Sequence, residues 1–484
     1  MTMADDAPNA STKAPRRSLW PRTAVAMGSL VVAGAGLLAS TELHGIPSPH
    51  ATPQAARAPL GATIALADDA PLASSHTYAP LPEPTTPANL PKDSPFIGAF
   101  KGSPESRLIN IYRAIGQNQT DVAIDAAASL THDVPAFRLA QLVYADLLSA
   151  RSGNTAGFAN AVPAGVARSA SAVAEVADLR DEARQRLLAL QERPPANQVP
   201  AEFILLPKAV HHAIAVDTTR SRLYLFENGA QGMKLVSDHY VSVGKNGVDK
   251  SVEGDQRTPL GVYFVSDRVG KGSLGEAFGA GAMQLNYPNL FDQLHGRTGS
   301  GIYVHGVPFS TYSRPPKDSD GCVTLANDEL VMLMNTVPIH DTPVIIMKQI
   351  HWVGDNTAQL HRAEILDAVN RWQGARAGDD QAALDAFYVP GAAPDVPAAP
   401  PSPPPQPTVT WVHGKRRVAP PPAVPPKDPV AFDNLSVMTW SDDKETMVVT
   451  FNERGTRSHR DTTLRQYWAR DASTWRIVAE GTVR

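Results

Sequence analysis

Apolar residues recur at helical spacing in the segment 96–195. Leu108, Ile111 and Ile115 lie three and four residues apart, which is the spacing of one face of an α-helix. Residues 178–190 form a charged amphipathic stretch that ends before two prolines. The pattern predicts a helical N-terminal module with a structural or docking role.

Short β-rich runs replace the helical pattern between residues 202 and 350. Leu223–Phe226 and Val262–Val265 are two of these runs, and Val344–Met347 ends the segment. The Asn228–Gly229 pair is typical of the turns that join such strands. A mostly-β domain of about 150 residues is predicted, which is large enough to have its own core.

The last part of the chain changes from helical to extended spacing. Residues 355–388 place Ile365, Val369 and Trp372 on one helical face. A Pro-rich insert follows at 391–429, with a basic island at its centre. Four predicted strands then complete the chain: Val437–Trp440, Met447–Phe451, Thr462–Trp468 and Trp475–Val478. Helices followed by a curved antiparallel sheet resemble a nuclear transport factor 2-like cone.

The N-terminal residues 1–44 have the pattern of a signal peptide or a membrane anchor. Arg16, Arg17 and Arg22 precede an uncharged stretch at 23–39. Positive charge before an apolar stretch places the start of the chain in the cytoplasm and exports the rest. Cleavage stays open, because no clear small-residue site follows the stretch. Residues 45–95 are rich in Pro and Ala and predict a disordered linker.

Composition narrows the possible functions. The chain has 484 residues, which fits two to four domains at roughly 100–200 residues each. Its formal charge of −4 disfavours nucleic-acid binding, which normally requires a basic excess. A single cysteine excludes an internal disulfide framework and a cysteine-cluster metal site.

The candidate chemistry lies around that cysteine, Cys322. It follows Ser319, Asp320 and Gly321, and His305 lies seventeen positions upstream. A strand, a loop and a return would bring the imidazole against the thiol and activate it as a nucleophile. A lone cysteine is often a small buried hydrophobic residue, but a Gly-Cys turn flanked by polar residues favours the nucleophile. No His, Cys or Asp pair nearby has metal-site spacing.

These residues resemble the signature of L,D-transpeptidases of the YkuD type. The resemblance covers about residues 211–347 and rests on His305–Gly306 followed by Ser319–Val323. Thr258–Gly261, with the sequence Thr-Pro-Leu-Gly, is a further recurring feature of that family. The three-part layout also resembles a cell-shape-determining branch in which a helical region and a nuclear transport factor 2-like domain flank the catalytic domain.

The resemblance implies acyl transfer on peptidoglycan stem peptides, without a metal or organic cofactor. Cys322 would attack the carbonyl of the third stem residue and release D-Ala, with His305 as the base. The Gly306 carbonyl would orient the imidazole, and the amides of Gly321 and Cys322 would stabilise the oxyanion. The residues predicted to bind substrate are Tyr303, Arg314, Ser319, Asp320 and Thr324.

Two positions depart from the family pattern. Asp320 stands where many members have His, and Thr324 stands where many have Arg. Arg314 or Lys317, in the loop before Cys322, is a candidate to replace that charge, with a solvated loop as the alternative. For Asp320 we expect an Asx-type turn that holds the loop. Tyr303 shares a strand face with His305 and either lines the site or packs.

The expected fold class is a multidomain α+β protein with three folded parts. They are a helical, tetratricopeptide-like module at 96–195, a YkuD-type sandwich at 202–350 and a C-terminal cone at 355–484. The expected function is periplasmic L,D-transpeptidation that makes 3→3 cross-links, with L,D-carboxypeptidase activity and a non-catalytic wall-binding scaffold as alternatives. Expected partners are stem peptides, the inner membrane if residues 1–44 stay attached, and a second copy in a homodimer.

Overall fold

The computed structural model of the protein describes residues 102–153, 169–378, 380–392, 408–412, 415–419, 431–441, 444–454 and 462–483. The predicted signal or anchor at 1–44 and the predicted linker at 45–95 lie outside these residues. Within the described ranges, no helix has both the length and the apolar character needed to span a bilayer.

The secondary structure follows the predicted order of helices, strands, helices and strands. The helices of the described ranges are α1 (Pro104–Gly116), α2 (Thr120–Asp133), α3 (Arg138–Arg151), α4 (Ala170–Gln191), α5 (Leu290–Leu294), α6 (Asn327–Thr336), α7 (Asp355–Ala377) and α8 (Gln381–Asp385). The strands up to the end of the catalytic region are β1 (Val199–Pro200), β2 (Phe203–Leu205), β3 (His212–Asp217), β4 (Arg222–Gly229), β5 (Gly232–Tyr240), β6 (Val243–Gly244), β7 (Gly261–Gly270), β8 (Gly281–Leu285), β9 (Tyr303–His305), β10 (Lys317–Ser319), β11 (Val323–Thr324), β12 (Pro343–Met347) and β13 (Trp352–Val353). The later strands are β14 (Thr408–Val412), β15 (Lys415–Ala419), β16 (Ala431–Ser441), β17 (Glu445–Arg454), β18 (Thr462–Asp471) and β19 (Thr474–Thr482).

The first four helices pack around one apolar core. Helix α1 starts where the Ser103 hydroxyl accepts a hydrogen bond from the Ser106 backbone N–H at 3.2 Å, and Pro104 occupies its first turn. Leu108 and Ile111 are fully buried in this core, together with residues of α2 and α3. The helical spacing therefore predicted both the helices and their buried face.

The β-rich region 202–350 contains a mixed eight-stranded sheet, in the order β11-β9-β8-β7-β12-β3-β4-β5, and a two-stranded sheet of β6 and β10. Alternate residues of each central strand enter two different cores. In β4, for example, Leu223 and Leu225 pack on one side, whereas Tyr224 and Phe226 pack on the other. Because both faces of the sheet are buried, these strands are continuous runs of apolar residues in the sequence.

The sheet curls around its first core. Leu223 of β4 shares that core with Val304 of β9 and Val323 of β11, which lie at the opposite end of the strand order. Helix α6 covers the same core through Leu330 and Leu333. The predicted mostly-β sandwich is therefore one curled sheet that encloses its own core.

The second face of the catalytic sheet packs against a five-stranded antiparallel sheet, β19-β18-β17-β16-β2. Helix α7 packs on the far side of that sheet, where Trp372 contacts Phe451 and Trp468. This helix-on-sheet arrangement is compatible with the predicted cone. The sequence-based boundary at residue 202 differs from the structure, because Phe203–Leu205 is the edge strand of the C-terminal sheet.

The Pro-rich insert contains a β-hairpin that the sequence analysis did not predict. Strands β14 and β15 pair antiparallel, with Thr410 opposite Arg417 and Val412 opposite Lys415. The basic island therefore forms one strand of this hairpin. Prolines on both sides dominate the composition of the insert, so the two short strand-forming runs are not apparent from the sequence.

We predict that Trp372→Ala lowers the free energy of unfolding by about 3–5 kcal/mol, because it removes a buried ring from the C-terminal core. The measurement is urea denaturation followed by circular dichroism. Val122→Ala is the control, since Val122 is 57% exposed on α2 and its loss should cost less than about 0.5 kcal/mol. Equal effects of the two substitutions would contradict the packing described above.

Candidate active site

His305 ends strand β9 and is buried, with 5% of its surface exposed. Its Nδ1 lies 2.7 Å from the Gly306 carbonyl oxygen. A carbonyl oxygen only accepts hydrogen bonds, so Nδ1 carries a proton and Nε2 holds the free lone pair of the neutral ring. The expected orienting contact from Gly306 is present, and it makes Nε2 the basic nitrogen.

Cys322 lies in a tight turn between β10 and β11. Gly321 adopts a φ of +124°, and a Cβ there would lie 2.7 Å from the Arg257 carbonyl oxygen. Only glycine fits both the backbone conformation and this close approach. The Ser319 hydroxyl donates to the Cys322 carbonyl at 2.5 Å and accepts from the Gly321 N–H at 3.2 Å. These two hydrogen bonds hold the turn.

Strands β9 and β11 pair in parallel, and this pairing brings the two residues together. Val323 is opposite Val304, and Thr324 is opposite His305. Paired residues project to the same face of a sheet, and faces alternate along each strand. Cys322 directly precedes β11 and interacts with the backbone of Tyr303, two positions before His305 on the paired strand.

The Cys322 thiol is partly exposed and donates to the Gly301 carbonyl oxygen at 3.6 Å. Burial raises the pKa of the thiol to about 11, and the Tyr303 backbone N–H opposes this rise. The protonated thiol is therefore the resting form at neutral pH.

The imidazole is also neutral in the resting site. Burial lowers the pKa of His305 to about 4, although its hydrogen bond to the Gly306 carbonyl favours the protonated ring. The Arg314 charge lowers this pKa further. Between about pH 4 and pH 11 the site holds a thiol and a neutral base, so proton transfer has to accompany nucleophilic attack.

Phe278 is a site residue that the sequence analysis missed. Its ring lies 4.5 Å from the imidazole of His305 and 5.6 Å from the ring of Tyr303, measured between centroids. It covers the catalytic imidazole and contributes to its desolvation. The segment around Phe278 is rich in glycine and has no periodic pattern, so nothing in the sequence marked it.

Asn327 holds the backbone behind His305. Its Oδ1 accepts from the N–H of Ala280 at 2.8 Å and of Val307 at 3.2 Å, and its Nδ2 donates to the Val307 carbonyl at 2.8 Å. A Cβ on Gly306 would lie 2.1 Å from this Oδ1. The glycine after His305 is therefore needed for this bridge as well as for the orienting carbonyl.

Of the residues predicted to bind substrate, Ser319 and Asp320 make other contacts and Thr324 is buried. Ser319 is 2% exposed and is used inside the turn, and Thr324 is 1% exposed beside His305. Both are too deeply buried to reach a substrate in this structure. Asp320 accepts from Lys245 Nζ at 2.8 Å and from Gln256 Nε2 at 3.3 Å. The turn-holding role predicted for Asp320 belongs to Ser319, whose hydroxyl is short enough to bond within the turn.

Arg314 and Tyr303 do lie at the site. Tyr303 is half-buried against Phe278. Arg314 is half-buried, its Nη1 donates to the Asp318 carbonyl at 3.0 Å, and its charge lowers the pKa of both His305 and Cys322. Lys317, the other candidate cation, is exposed.

The expected pair of oxyanion donors is only partly available. The Gly321 N–H already donates to Ser319 Oγ. The Cys322 N–H is therefore the better placed of the two to bind an oxyanion. Among the described residues, no three His, Cys, Asp or Glu side chains are grouped so that they could hold a metal ion.

A comparison with solved structures finds similarity to two bacterial proteins. Bdellovibrio bacteriovorus Bd1075 is 20% identical, with a TM-score of 0.45, over 59% of this chain and 98% of that one. The helical cell shape determining protein Pgp2 from Campylobacter jejuni is 18% identical, with a TM-score of 0.42, over 56% of this chain and 91% of that one. No curated protein sequence matches the chain.

A protein-family comparison agrees with the site geometry. The family model described as YkuD, L,D-transpeptidase catalytic domain, matches residues 211–346. This range includes the curled sheet from β3 to β12, the imidazole on β9 and the thiol before β11. Residues 211–346 are therefore a YkuD L,D-transpeptidase catalytic domain.

Proposed function

We propose that the protein is a peptidoglycan L,D-transpeptidase with Cys322 as its nucleophile. The observation that carries the proposal is a half-buried cysteine directly before the strand that pairs with the strand of His305, together with a neutral imidazole whose Nδ1–H donates to the Gly306 carbonyl. Such a pair supplies a nucleophile and a base for acyl transfer.

The first step forms a thioester. The Cys322 sulfur attacks the carbonyl carbon of the third stem residue while its proton passes to Nε2 of His305. The Cys322 N–H binds the oxyanion of the tetrahedral intermediate. The C–N bond then breaks, and the amine of the departing D-Ala takes the proton from His305.

The second step returns the thiol. An amine of another stem peptide attacks the thioester carbonyl, with His305 accepting its proton. The C–S bond breaks, the sulfur recovers the proton, and a 3→3 cross-link results. Water as the second nucleophile would instead give a tripeptide, which is the L,D-carboxypeptidase outcome.

The site of action is the cell wall, since a YkuD domain of this kind modifies peptidoglycan. The domain therefore works outside the cytoplasm. Export into the periplasm by residues 1–44 is part of the proposal, and so is anchoring if that segment stays attached. The homodimer stays a prediction.

We predict that the purified protein converts disaccharide-tetrapeptide into cross-linked dimers and free D-Ala, and that Cys322→Ala lowers product formation by about a thousandfold or more. His305→Gln should lower it by about 10²- to 10⁴-fold, because it removes the base. Mass spectrometry of the products is the measurement. Lys317→Gln is the control, since Lys317 is an exposed cation at the start of β10, five residues before Cys322.

Tripeptide alone, with the same dependence on Cys322, would move the assignment to an L,D-carboxypeptidase. A product that persists in Cys322→Ala would contradict the cysteine mechanism. The absence of any product from the wild-type protein would favour the wall-binding scaffold.

The raised pKa of the thiol predicts the pH dependence of its alkylation. Iodoacetamide labelling should accelerate about tenfold per pH unit from pH 7 to pH 10, without levelling, because the pKa is about 11. Activity should fall as the pH drops through about 4, where His305 becomes protonated. Since Cys322 is the only cysteine, the modified mass identifies the site. The urea-unfolded chain is the control, and a plateau below pH 8 in the folded protein would reveal a resting thiolate instead.

A further inference from the structure

The loop 307–316 joins the strand of His305 to the strand that leads to Cys322, and the helical region holds its middle. The Tyr312 N–H donates to the Ala136 carbonyl at 3.1 Å. The rings of Tyr312 and Phe137 lie 4.2 Å apart, and Tyr312 belongs to the core of helices α1–α3. The loop is therefore packed into a domain other than the one that contains the catalytic pair.

The next loop residue is bound by a buried ionic cluster. The Ser313 hydroxyl donates to Glu182 Oε1 at 2.6 Å. Arg186 pairs with Glu182 at 2.8 Å and with Glu105 at 2.5 Å, and all three charged side chains are at most 3% exposed. This cluster joins helices α1 and α4 to the loop.

Tyr240 of the eight-stranded sheet contacts both the ionic cluster and the loop. The guanidinium of Arg186 lies 3.8 Å from the ring centroid of Tyr240, at the end of β5. The hydroxyl of the same tyrosine donates to the Arg314 carbonyl at 3.0 Å. The backbone of Arg314 is thus fixed from the sheet, while Ser313 beside it is fixed from the helices.

A buried ionic cluster of this kind is a poor source of stability. Desolvation of its charges offsets most of their attraction, and well-packed apolar side chains often serve as well or better. The cluster instead fixes the position of Ser313, because a charged acceptor determines where the Ser313 hydroxyl must lie. Fixing Ser313 also restricts the backbone position of the next residue in the chain, Arg314.

Arg314 has a charge available at the site. Among the described residues, no carboxylate lies within ion-pair distance of Arg314, its Nη1 donates to the Asp318 backbone carbonyl, and its charge opposes the rise that burial causes in the pKa of the Asp318 carboxyl. Its charge influences both His305 and Cys322. A planar guanidinium in this position is suited to bind a carboxylate.

We propose that Arg314 binds a free carboxylate of the donor stem peptide, and that helices α1–α4 act as the positioning element of the Arg314 loop through Glu182–Ser313 and Phe137–Tyr312. This inference rests on the proposed function. It gives the helical region a role in substrate specificity. It also assigns to Arg314, in a different loop, the positive charge that many family members carry at the position of Thr324.

Steady-state kinetics with three donors test the role of Arg314. One tetrapeptide donor has free carboxylates, a second is amidated at the diaminopimelate side-chain carboxylate, and a third is amidated at the terminal D-Ala. Arg314→Gln should raise KM for the free acid about 10- to 100-fold, the range for a hydrogen bond to a charged group. For one of the two amidated donors, the one that lacks the carboxylate bound by Arg314, the substitution should change KM little. Equal losses on all three donors would overturn the proposal.

Substitution of Ser313 tests the positioning role. Ser313→Ala should raise KM for the free acid about 2- to 30-fold, the range for a residue that acts through another. This loss should disappear on the same amide that is insensitive to Arg314→Gln. Ser313→Thr keeps the hydroxyl and should restore KM. Glu175→Gln is the matched control, since Glu175 lies on the same helix in an exposed ion pair with Arg138.

The two proposals fail in different ways. An inactive wild-type protein would overturn the proposed function. An active wild-type protein whose KM is unchanged by Ser313→Ala would overturn the positioning role alone. A loss in Ser313→Ala that is equal on acid and amide donors, or that Ser313→Thr does not reverse, would show a general structural role and would also overturn it.

Discussion

The parallel pairing of β9 with β11 is the contact on which the site depends. It joins two strands of three and two residues, and it brings Cys322 to the strand that carries His305 although seventeen positions separate the two residues. Such short strands cannot hold a register alone. The bridge made by Asn327 and the turn held by Ser319 supply the missing hydrogen bonds. Each glycine at these points admits backbone or amide oxygens where a Cβ would collide.

The surrounding domains complete the catalytic domain rather than merely flank it. One face of the curled sheet is covered by the C-terminal sheet. The edge strand of that C-terminal sheet is formed by residues 203–205, which precede the curled sheet in the chain. The loop between the catalytic strands packs into the helical core through Tyr312. A catalytic domain cut at its family boundaries would therefore expose apolar surface and release the loop that carries Arg314.

Electrostatics at the site favour a neutral resting state. Burial acts in opposite directions on the two groups, raising the pKa of the thiol and lowering that of the imidazole. Under the proposed mechanism the ion pair forms only when attack begins, and the charge of Arg314 acts on both groups. The absence of a cation at Thr324 is compatible with the proposed chemistry, in which Arg314 supplies the charge from another loop.

The sequence by itself determined the helical and strand-rich regions and the resemblance of residues 211–346 to a YkuD domain, and it predicted Cys322 and His305 as the catalytic pair, because periodicity and the His-Gly and Ser-Asp-Gly-Cys motifs are local signals. It did not reveal that residues 203–205 join the last sheet, that Phe278 covers His305, or that Ser319 rather than Asp320 holds the turn. Those features depend on which side chains meet after folding. Burial decided the roles of Ser319 and Thr324, and contacts between domains decided that of the Arg314 loop. Only the tertiary structure could decide them, because the partners are far apart in the chain and share no periodic pattern.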